Sequence, residues 1–391
     1  MQRSDSPTTA TPLSAEAGPN AAIWFDVGAD RVRLLRDGDE AFPAMLDAIA
    51  HAEREVLLEI YWIGDDEVGR RFRDALVERA QAGVKVRVLY DALGSLGVGE
   101  GWWQPLADAG GRTAWYHSIS PFDPRFRFGN VELRDHRKLL VIDGRNGFTG
   151  GINLAAPWLP PTSGGRGWRD DMVEVRGDVV EELRSVFYRT WRRLTWERNP
   201  ADVRRLSGAR TRPVWVLAGR RWTRRSIHRE YLIRIDRARR NVDIANSYFV
   251  PDRPVRNALV RAVRRGVQVR VLVPEKSDVA FVQFAVEATF ESLLRNGIEI
   301  WRFPDRMLHA KTAIIDETFT TIGTYNLDER SRNKNLEVNL AVEDAAFARH
   351  VRESFEVDLR SAGRVDPKEW SRRPIARRAV EWTAFTLRRL L

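Results

Sequence analysis

Two short segments carry most of the chemistry available to this sequence. His136 is followed by Lys138 and Asp143, and His309 by Lys311 and Asp316, so both segments read His-x-Lys-x4-Asp. Each then closes alike, on Gly150-Gly151-Ile152-Asn153 and on Gly323-Thr324-Tyr325-Asn326, with 173 residues between matched positions. An imidazole, with an ordinary pKa of about 6.5, serves as nucleophile or as acid and base near neutral pH. A fixed ammonium and a side-chain amide hold the non-bridging oxygens of a phosphodiester. Two such sets in one chain point to one active site assembled from two halves. Chance is a poor explanation, because only six of the 64 Lys and Arg are Lys, and two of those six occupy matched positions.

In-line displacement at phosphorus places nucleophile and leaving group on opposite sides, which suits one histidine from each half. One imidazole attacks while the other protonates the leaving oxygen. Lys138, Lys311, Asn153, Asn326 and the Thr324 hydroxyl are the expected phosphate-binding groups. Two lysines supply the charge neutralisation that Mg²⁺ provides elsewhere, so neither a cofactor nor a metal ion is expected. Asp143 and Asp316 complete the motifs, but a carboxylate beside a phosphate repels it, so both are expected to brace the turn. Gly151 stands opposite Thr324, so one copy lacks a hydroxyl.

The elements that must position these residues also repeat. Glu55–Ile63 reads as a buried strand, Asp66–Ala82 as a helix ended by Gly83, and Val84–Tyr90 as a second strand. In the second half Val242–Val250 is a strand, a helix runs from Pro251-Asp252 to Arg264 before Gly266, and Val267–Val273 follows as a strand. Strand, helix and parallel strand form a βαβ unit whose handedness places helices against a sheet. Lys138–Asp143 and Lys311–Asp316 are apolar runs ended by turn chemistry, each expected to form a central strand. Alternation along a strand points His and Lys, two apart, the same way. Glu59 on the first strand either faces the site or is buried and paired. Residues 118–130 (SISPFDPRFRFGN) read as a loop beside the site.

Bulk properties bound the rest. At 391 residues the chain has room for two domains, and it contains no cysteine, which excludes disulfides and thiolate metal sites. It has no uncharged apolar run of about 18 residues, so no transmembrane helix is expected. Residues 1–20 read as a disordered tail, 21–200 as the first domain, 201–215 as a Pro- and Gly-containing linker, 216–370 as the second domain, and 371–391 as a basic amphipathic segment. In that last segment Ile375, Ala379, Trp382, Phe385 and Leu390 form an apolar stripe flanked by arginines, suited either to a membrane interface or to docking on the second domain. The formal net charge of +10 favours anionic partners, nucleic acid or an acidic membrane face.

The paired motifs resemble the phospholipase D superfamily. Within it, Tyr248-Phe-Val-Pro-Asp252, Pro274-Glu-Lys-Ser-Asp278, Trp168-Arg-Asp170, Asn326–Ser331 and Asn335-Leu-Glu337 look like bacterial cardiolipin synthases, of the shorter kind without N-terminal transmembrane helices. The resemblance implies an α/β fold of two tandem phospholipase D-like domains, each a mixed β-sheet flanked by helices, related by pseudo-twofold symmetry around one shared site. It implies His136 as nucleophile, His309 as general acid and then base, Glu337 as the carboxylate orienting His309, and Asp170 as that orienting His136. It further implies phosphatidyl transfer between phosphatidylglycerol molecules, with phospholipid hydrolysis and nuclease activity as the alternatives. An anionic phospholipid at a membrane surface is the favoured partner over nucleic acid, and the expected location is peripheral, on the inner face of the cell membrane.

Overall fold

A computed structural model describes residues 23–198, 200, 203, 212–218 and 226–387. The expected N-terminal tail, most of the linker and Leu390 lie outside the described residues. The first half contains β1 (Phe25–Val27), β2 (Asp30–Arg36), α1 (Asp37–Ala50), β3 (Glu55–Ile60), α2 (Glu67–Gln81) and β4 (Lys85–Asp91). It continues with α3 (Glu100–Asp108), β5 (Arg112–Tyr116), β6 (Lys138–Ile142), β7 (Asn146–Gly150), β8 (Asp171–Gly177) and α4 (Val180–Thr195). The second half contains β9 (Val214–Leu217), α5 (Ile227–Arg237), β10 (Asn241–Asn246), α6 (Arg253–Arg264), β11 (Gln268–Pro274), α7 (Ala280–Arg295) and β12 (Glu299–Phe303). After it come β13 (Lys311–Ile315), β14 (Phe319–Gly323), α8 (Glu329–Asn333), β15 (Asn339–Glu343), α9 (Ala345–Ser361), β16 (Gly363–Arg364), α10 (Pro367–Ser371) and α11 (Ile375–Thr386).

Among the described residues the strands form two eight-stranded sheets, ordered β1-β2-β8-β7-β6-β3-β4-β5 and β16-β12-β11-β10-β13-β14-β15-β9. Read from opposite ends, the run β8-β7-β6-β3-β4-β5 matches β15-β14-β13-β10-β11-β12. Both sheets are mixed: β3 pairs parallel with β4 and antiparallel with β6, as β10 does with β11 and β13. The motif strands occupy equivalent registers, Lys138 opposite Ile60 and Lys311 opposite Asn246. The two-domain α/β expectation therefore holds, with β9 entering the second sheet at Val214.

Local sequence explains the helices flanking these strands. Asp66 caps α2 by accepting from Gly69 N at 3.1 Å, and Asp252 caps α6 by accepting from Val255 N at 3.0 Å. Gly83 and Gly266 end the same helices in the left-handed region, at φ 84° and 85°, where a side chain is strained. The strands β3 and β10 stop earlier than their apolar runs suggest, at Ile60 and Asn246. Beyond those points motif residues take over the backbone: Trp62 N donates to Asn153 Oδ1 at 3.1 Å, and Val250 N to Leu327 O at 3.0 Å.

Strand alternation builds three apolar layers. Leu139 and Val141 of β6 face a central core that also holds Ile314 of β13, Ile322 of β14 and Leu340 of β15, with α4 and α9 filling its flanks. Leu140 and Ile142 face the outer core against α1, α2 and α3, while Ala313 and Ile315 face the outer core against α5, α6 and α7. The halves thus share a core, which fixes their mutual placement more rigidly than a polar contact between domains. Buried charge adds to it. Arg169 Nε lies 2.9 Å from Asp358 Oδ2 on α9, Arg169 Nη1 lies 2.6 Å from Asp171 Oδ1, and Thr312 Oγ1 donates to Asp171 Oδ2 at 2.6 Å. Among the described residues no helix is long and apolar enough to cross a membrane.

Candidate active site

The two motifs meet where the sheets face each other. Each histidine lies just before its strand, on a segment held by a backbone bridge to the other half. His136 N donates to Leu336 O at 3.0 Å and Leu336 N to Arg134 O at 2.9 Å. In the mirrored bridge His309 N donates to Arg169 O at 2.7 Å and Arg169 N to Met307 O at 2.9 Å. The residue after each bridge is a carboxylate, and it reaches the histidine of the opposite half. His136 Nδ1 lies 3.1 Å from Glu337 Oε2, and His309 Nδ1 lies 2.7 Å from Asp170 Oδ2.

This corrects the pairing expected from resemblance. Glu337 and Asp170 are the orienting carboxylates, but Glu337 serves His136 and Asp170 serves His309. The bridges dictate the exchange, since they place residues 336–337 beside His136 and 169–170 beside His309. With each Nδ1 donating to a carboxylate, Nε2 is the nitrogen that carries the lone pair of the neutral ring.

Burial sets the electrostatics. It pushes the His136 imidazole down to about 4, helped by the neighbouring Lys138 ammonium and opposed by Glu337. His309 is lowered for the same reasons, by burial and Lys311 against Asp170. Burial would raise both carboxylates, but their histidine partners and the lysines bring Asp170 and Glu337 below the usual range. Burial also lowers the lysines, Lys138 to about 7 with repulsion from Lys311 behind it, and Lys311 to about 8. Lys138 Nζ donates to His136 O at 2.9 Å and sits 5.2 Å from the Tyr61 ring centroid. Lys311 Nζ donates to Ser247 Oγ at 2.7 Å and to His309 O. Both ammonium groups therefore lie buried beside the histidines, with the carboxylates turned to the imidazoles.

The histidines open onto a cavity of about 390 Å³ lined also by Asn153 and Asn326. Asn153 commits its Oδ1 to Trp62 N, leaving its NH2 to donate to a ligand, and Asn326 Oδ1 is buried without a hydrogen-bond partner. The cavity is two-faced. Beside His309 its wall is aromatic: the Trp158 and Trp168 rings lie 5.3 and 5.8 Å from the imidazole, with Trp62 against both indoles. Beside His136 it is polar, with the Tyr61 ring 5.0 Å away and Arg134, Asn335 and Arg330 on the wall. Tyr61, Trp62, Trp158 and Arg134 carry no sequence signal that separates them from core residues. Arg134 also anchors the 118–130 loop, donating to His117 O at 3.1 Å and Asn130 O at 2.9 Å.

Other motif residues stand elsewhere. The Thr324 hydroxyl donates to Glu337 Oε2 at 2.5 Å, so its single proton braces the carboxylate, which corrects the expected phosphate contact. Gly151 occupies the equivalent place beside Asp170, where an added Cβ would stand 2.1 Å from Asp170 Oδ1. Asp143 and Asp316, counted with the catalytic motif, sit at the far ends of β6 and β13 with φ 55°. Asp143 accepts from the backbone N of Glu53, Arg54 and Glu55, and Asp316 from Arg239, Arg240 and Asn241, so both are braces. Glu59 is buried and pairs with Arg137 Nη1 at 3.1 Å, which settles its alternative readings.

Known proteins give this arrangement a family. A family model described as cardiolipin synthase, PLD-like domain, matches residues 45–191 and 231–359. The chain is similar to cardiolipin synthase 2 of Bacillus anthracis, at 34% identity over 369 residues, covering 92% of this chain and 70% of that protein. It is similar also to cardiolipin synthase of Geobacillus sp. (strain WCH70), at 33% identity over 375 residues, 93% of this chain and 73% of that protein. Its fold resembles that of phosphatidylserine synthase from Haemophilus influenzae, with a TM-score of 0.67 at 15% identity, covering 92% and 95% of the two chains. Two motif halves, two matched segments and relatives aligned along most of the sequence agree: the chain belongs to the cardiolipin synthase family of phospholipase D-like proteins.

Proposed function

We propose that this protein is a phosphatidyltransferase that makes cardiolipin from two molecules of phosphatidylglycerol, working peripherally on the inner face of the cell membrane. The observation that carries the reading is the crossed pair of histidine–carboxylate couples opening on one cavity, backed by the family's curated relatives. Burial keeps His136 neutral at physiological pH, so its Nε2 lone pair is available as nucleophile. A phosphodiester anion entering beside Lys138 and Lys311 favours protonation of the second imidazole, preparing His309 as the acid.

In the first step His136 Nε2 attacks phosphorus, the bond from phosphorus to the glycerol oxygen breaks, and His309 delivers its proton to that oxygen. Glycerol leaves, and the phosphatidyl group remains on His136. In the second step His309 takes the proton from a hydroxyl of another phosphatidylglycerol, whose oxygen attacks phosphorus and releases His136. The lysines and motif asparagines hold the non-bridging oxygens through both steps.

The test is incubation of purified protein with phosphatidylglycerol vesicles and identification of products by mass spectrometry. Cardiolipin and glycerol in equal amounts are expected. Phosphatidic acid without cardiolipin would make water the acceptor, and an absence of any lipid product alongside plasmid cleavage would overturn the lipid reading.

A further inference from the structure

The helix α11 turns much of its charge inward and its apolar face out. Arg377 Nη2 lies 2.8 Å from Glu287 Oε2 on α7, and Arg373 Nη2 lies 3.4 Å from Glu291 Oε2 on the same helix. Arg373 and Arg377 also pair with Glu381 of α11 itself, at 2.8 and 3.4 Å, and Glu381 is buried. Of the expected apolar stripe, among the described residues only Phe385 turns partly inward, under the Arg256 guanidinium. Ile375 and Trp382 stand out in solvent at 83% and 68% exposure, and Val380 and Leu387 are exposed on the other flank of the same outward face, with Ala379 and Thr383 between. An ordinary docked helix does the reverse, because burying apolar area and solvating charge both favour it.

The helix runs towards an element that lines the cavity. Arg373 opposite Glu291 and Arg377 opposite Glu287 set α11 antiparallel to α7, so its C-terminal end runs towards the first turn of α7. There Val279 and Val282 line the cavity, and Val279 and Phe281 are themselves exposed. Two cations flank the apolar face in a chain of formal net charge +10. Exposed Arg372 stands just before α11, and Arg378 on it stays exposed while lying 3.3 Å from Glu291.

We propose that the outer face of α11, continued by Val279 and Phe281, is the surface on which the protein docks on an anionic phospholipid bilayer. Ile375, Trp382, Val380 and Leu387 enter the interfacial region, the flanking arginines meet lipid phosphates, and the cavity mouth faces the lipid it must admit. The inward ion pairs are then the fastening that holds α11 to α7 while its apolar side serves the membrane. This surface rests on the reading that the substrate is a bilayer lipid, and its test separates the two.

The full chain is compared with the triple variant Ile375→Ser, Val380→Ser, Trp382→Ser, which leaves every ion pair in place. Each is sedimented with vesicles of equimolar phosphatidylglycerol and phosphatidylcholine, and with phosphatidylcholine alone. Each is also assayed on short-chain phosphatidylglycerol dissolved below its micelle concentration. The expected result is wild-type binding to the anionic vesicles, binding at least about tenfold weaker in the variant, and equal turnover of the dissolved lipid. Unchanged sedimentation of the variant would overturn the proposal. So would a wild-type dimer that the variant dissolves with vesicle binding intact, since the face would then belong to a second copy. Absence of wild-type turnover on the dissolved lipid would count against phosphatidyl transfer, leaving the vesicle result to judge the docking surface by itself.

Discussion

Asp170 Oδ2 accepts from His309 Nδ1 at 2.7 Å although the two residues belong to different halves of the chain. Glu337 makes the reciprocal contact to His136. Neither half therefore contains a complete catalytic couple, and the active site exists only when the halves are joined. The predicted consequence is specific. Glu337 favours the charged imidazole of His136, so Glu337→Gln removes that support and lowers the proton affinity of His136, leaving His309 close to its wild-type titration. Asp170→Asn does the same to His309. Imidazole resonances followed by NMR across pH check this, and a Glu337→Gln protein in which only His309 moved would restore pairing within each half.

The supports of the two carboxylates differ, and that difference is testable. Thr324 holds Glu337 by a hydroxyl, whereas Gly151 leaves room for Asp170, already fixed by Trp158 Nε1 at 2.9 Å and by Asp171 N at 2.9 Å. Gly151→Ala places its Cβ within 2.1 Å of a carboxylate oxygen that cannot yield without releasing His309. We expect turnover about a hundredfold lower, because small misplacements of a catalytic group slow the reaction on this scale. Thr324→Ala should lose activity while Thr324→Ser retains most of it. Equal loss in both would show that the methyl group, not the hydroxyl, is what matters.

Much of this arrangement was legible in the sequence. The repeat, the strand–helix–strand order and the motif residues could be read because each is written locally and twice. The crossed pairing could not, because it follows from backbone bridges between residues far apart in the chain, His309 with Arg169 and Leu336 with His136. Either assignment satisfies the same residue types. The cavity wall was hidden for another reason: Trp62 and Trp158 sit in apolar segments, where an indole reads as core. Ser247 and Tyr61 hold equivalent places beside the two lysines, and no repeat is visible there because the residues differ.

The lysines set the basic limb of the pH profile and destabilise the fold. Lys138 is pushed down to about 7 and Lys311 to about 8, so both lose charge as pH rises through that range, and kcat/KM should fall with an apparent pKa between these values. Stability moves the opposite way. Lys138 binds its proton less tightly folded than unfolded, so the unfolded chain holds more protons between about pH 7 and its ordinary value of 10.5. Stability therefore rises with pH across that window, and the full penalty applies below it. Lys138→Met removes the penalty and, with it, phosphate binding. It should be inactive yet melt a few degrees higher at pH 7, equivalent to ~1 kcal/mol. A lower melting temperature would mean that the bond to His136 O outweighs the buried charge.

Asp358 is the last link between the halves to test. It lies on α9, is buried, and receives Arg169 Nε at 2.9 Å and Arg36 Nη2 at 2.5 Å from the first half. Arg169 in turn supplies the carbonyl that accepts from His309 N. Asp358→Ala strips one carboxylate from two guanidinium groups, one of them fully enclosed, and breaking a buried pair in this way costs about 3–5 kcal/mol. Because Arg169 precedes Asp170, the released guanidinium disturbs the His309 couple before it disturbs that of His136. At temperatures where Asp358→Ala remains folded, kcat should drop and the His309 imidazole resonance should shift while that of His136 holds. Loss of melting temperature with an unchanged His309 resonance would confine Asp358 to stability and separate the interface from the catalytic couple.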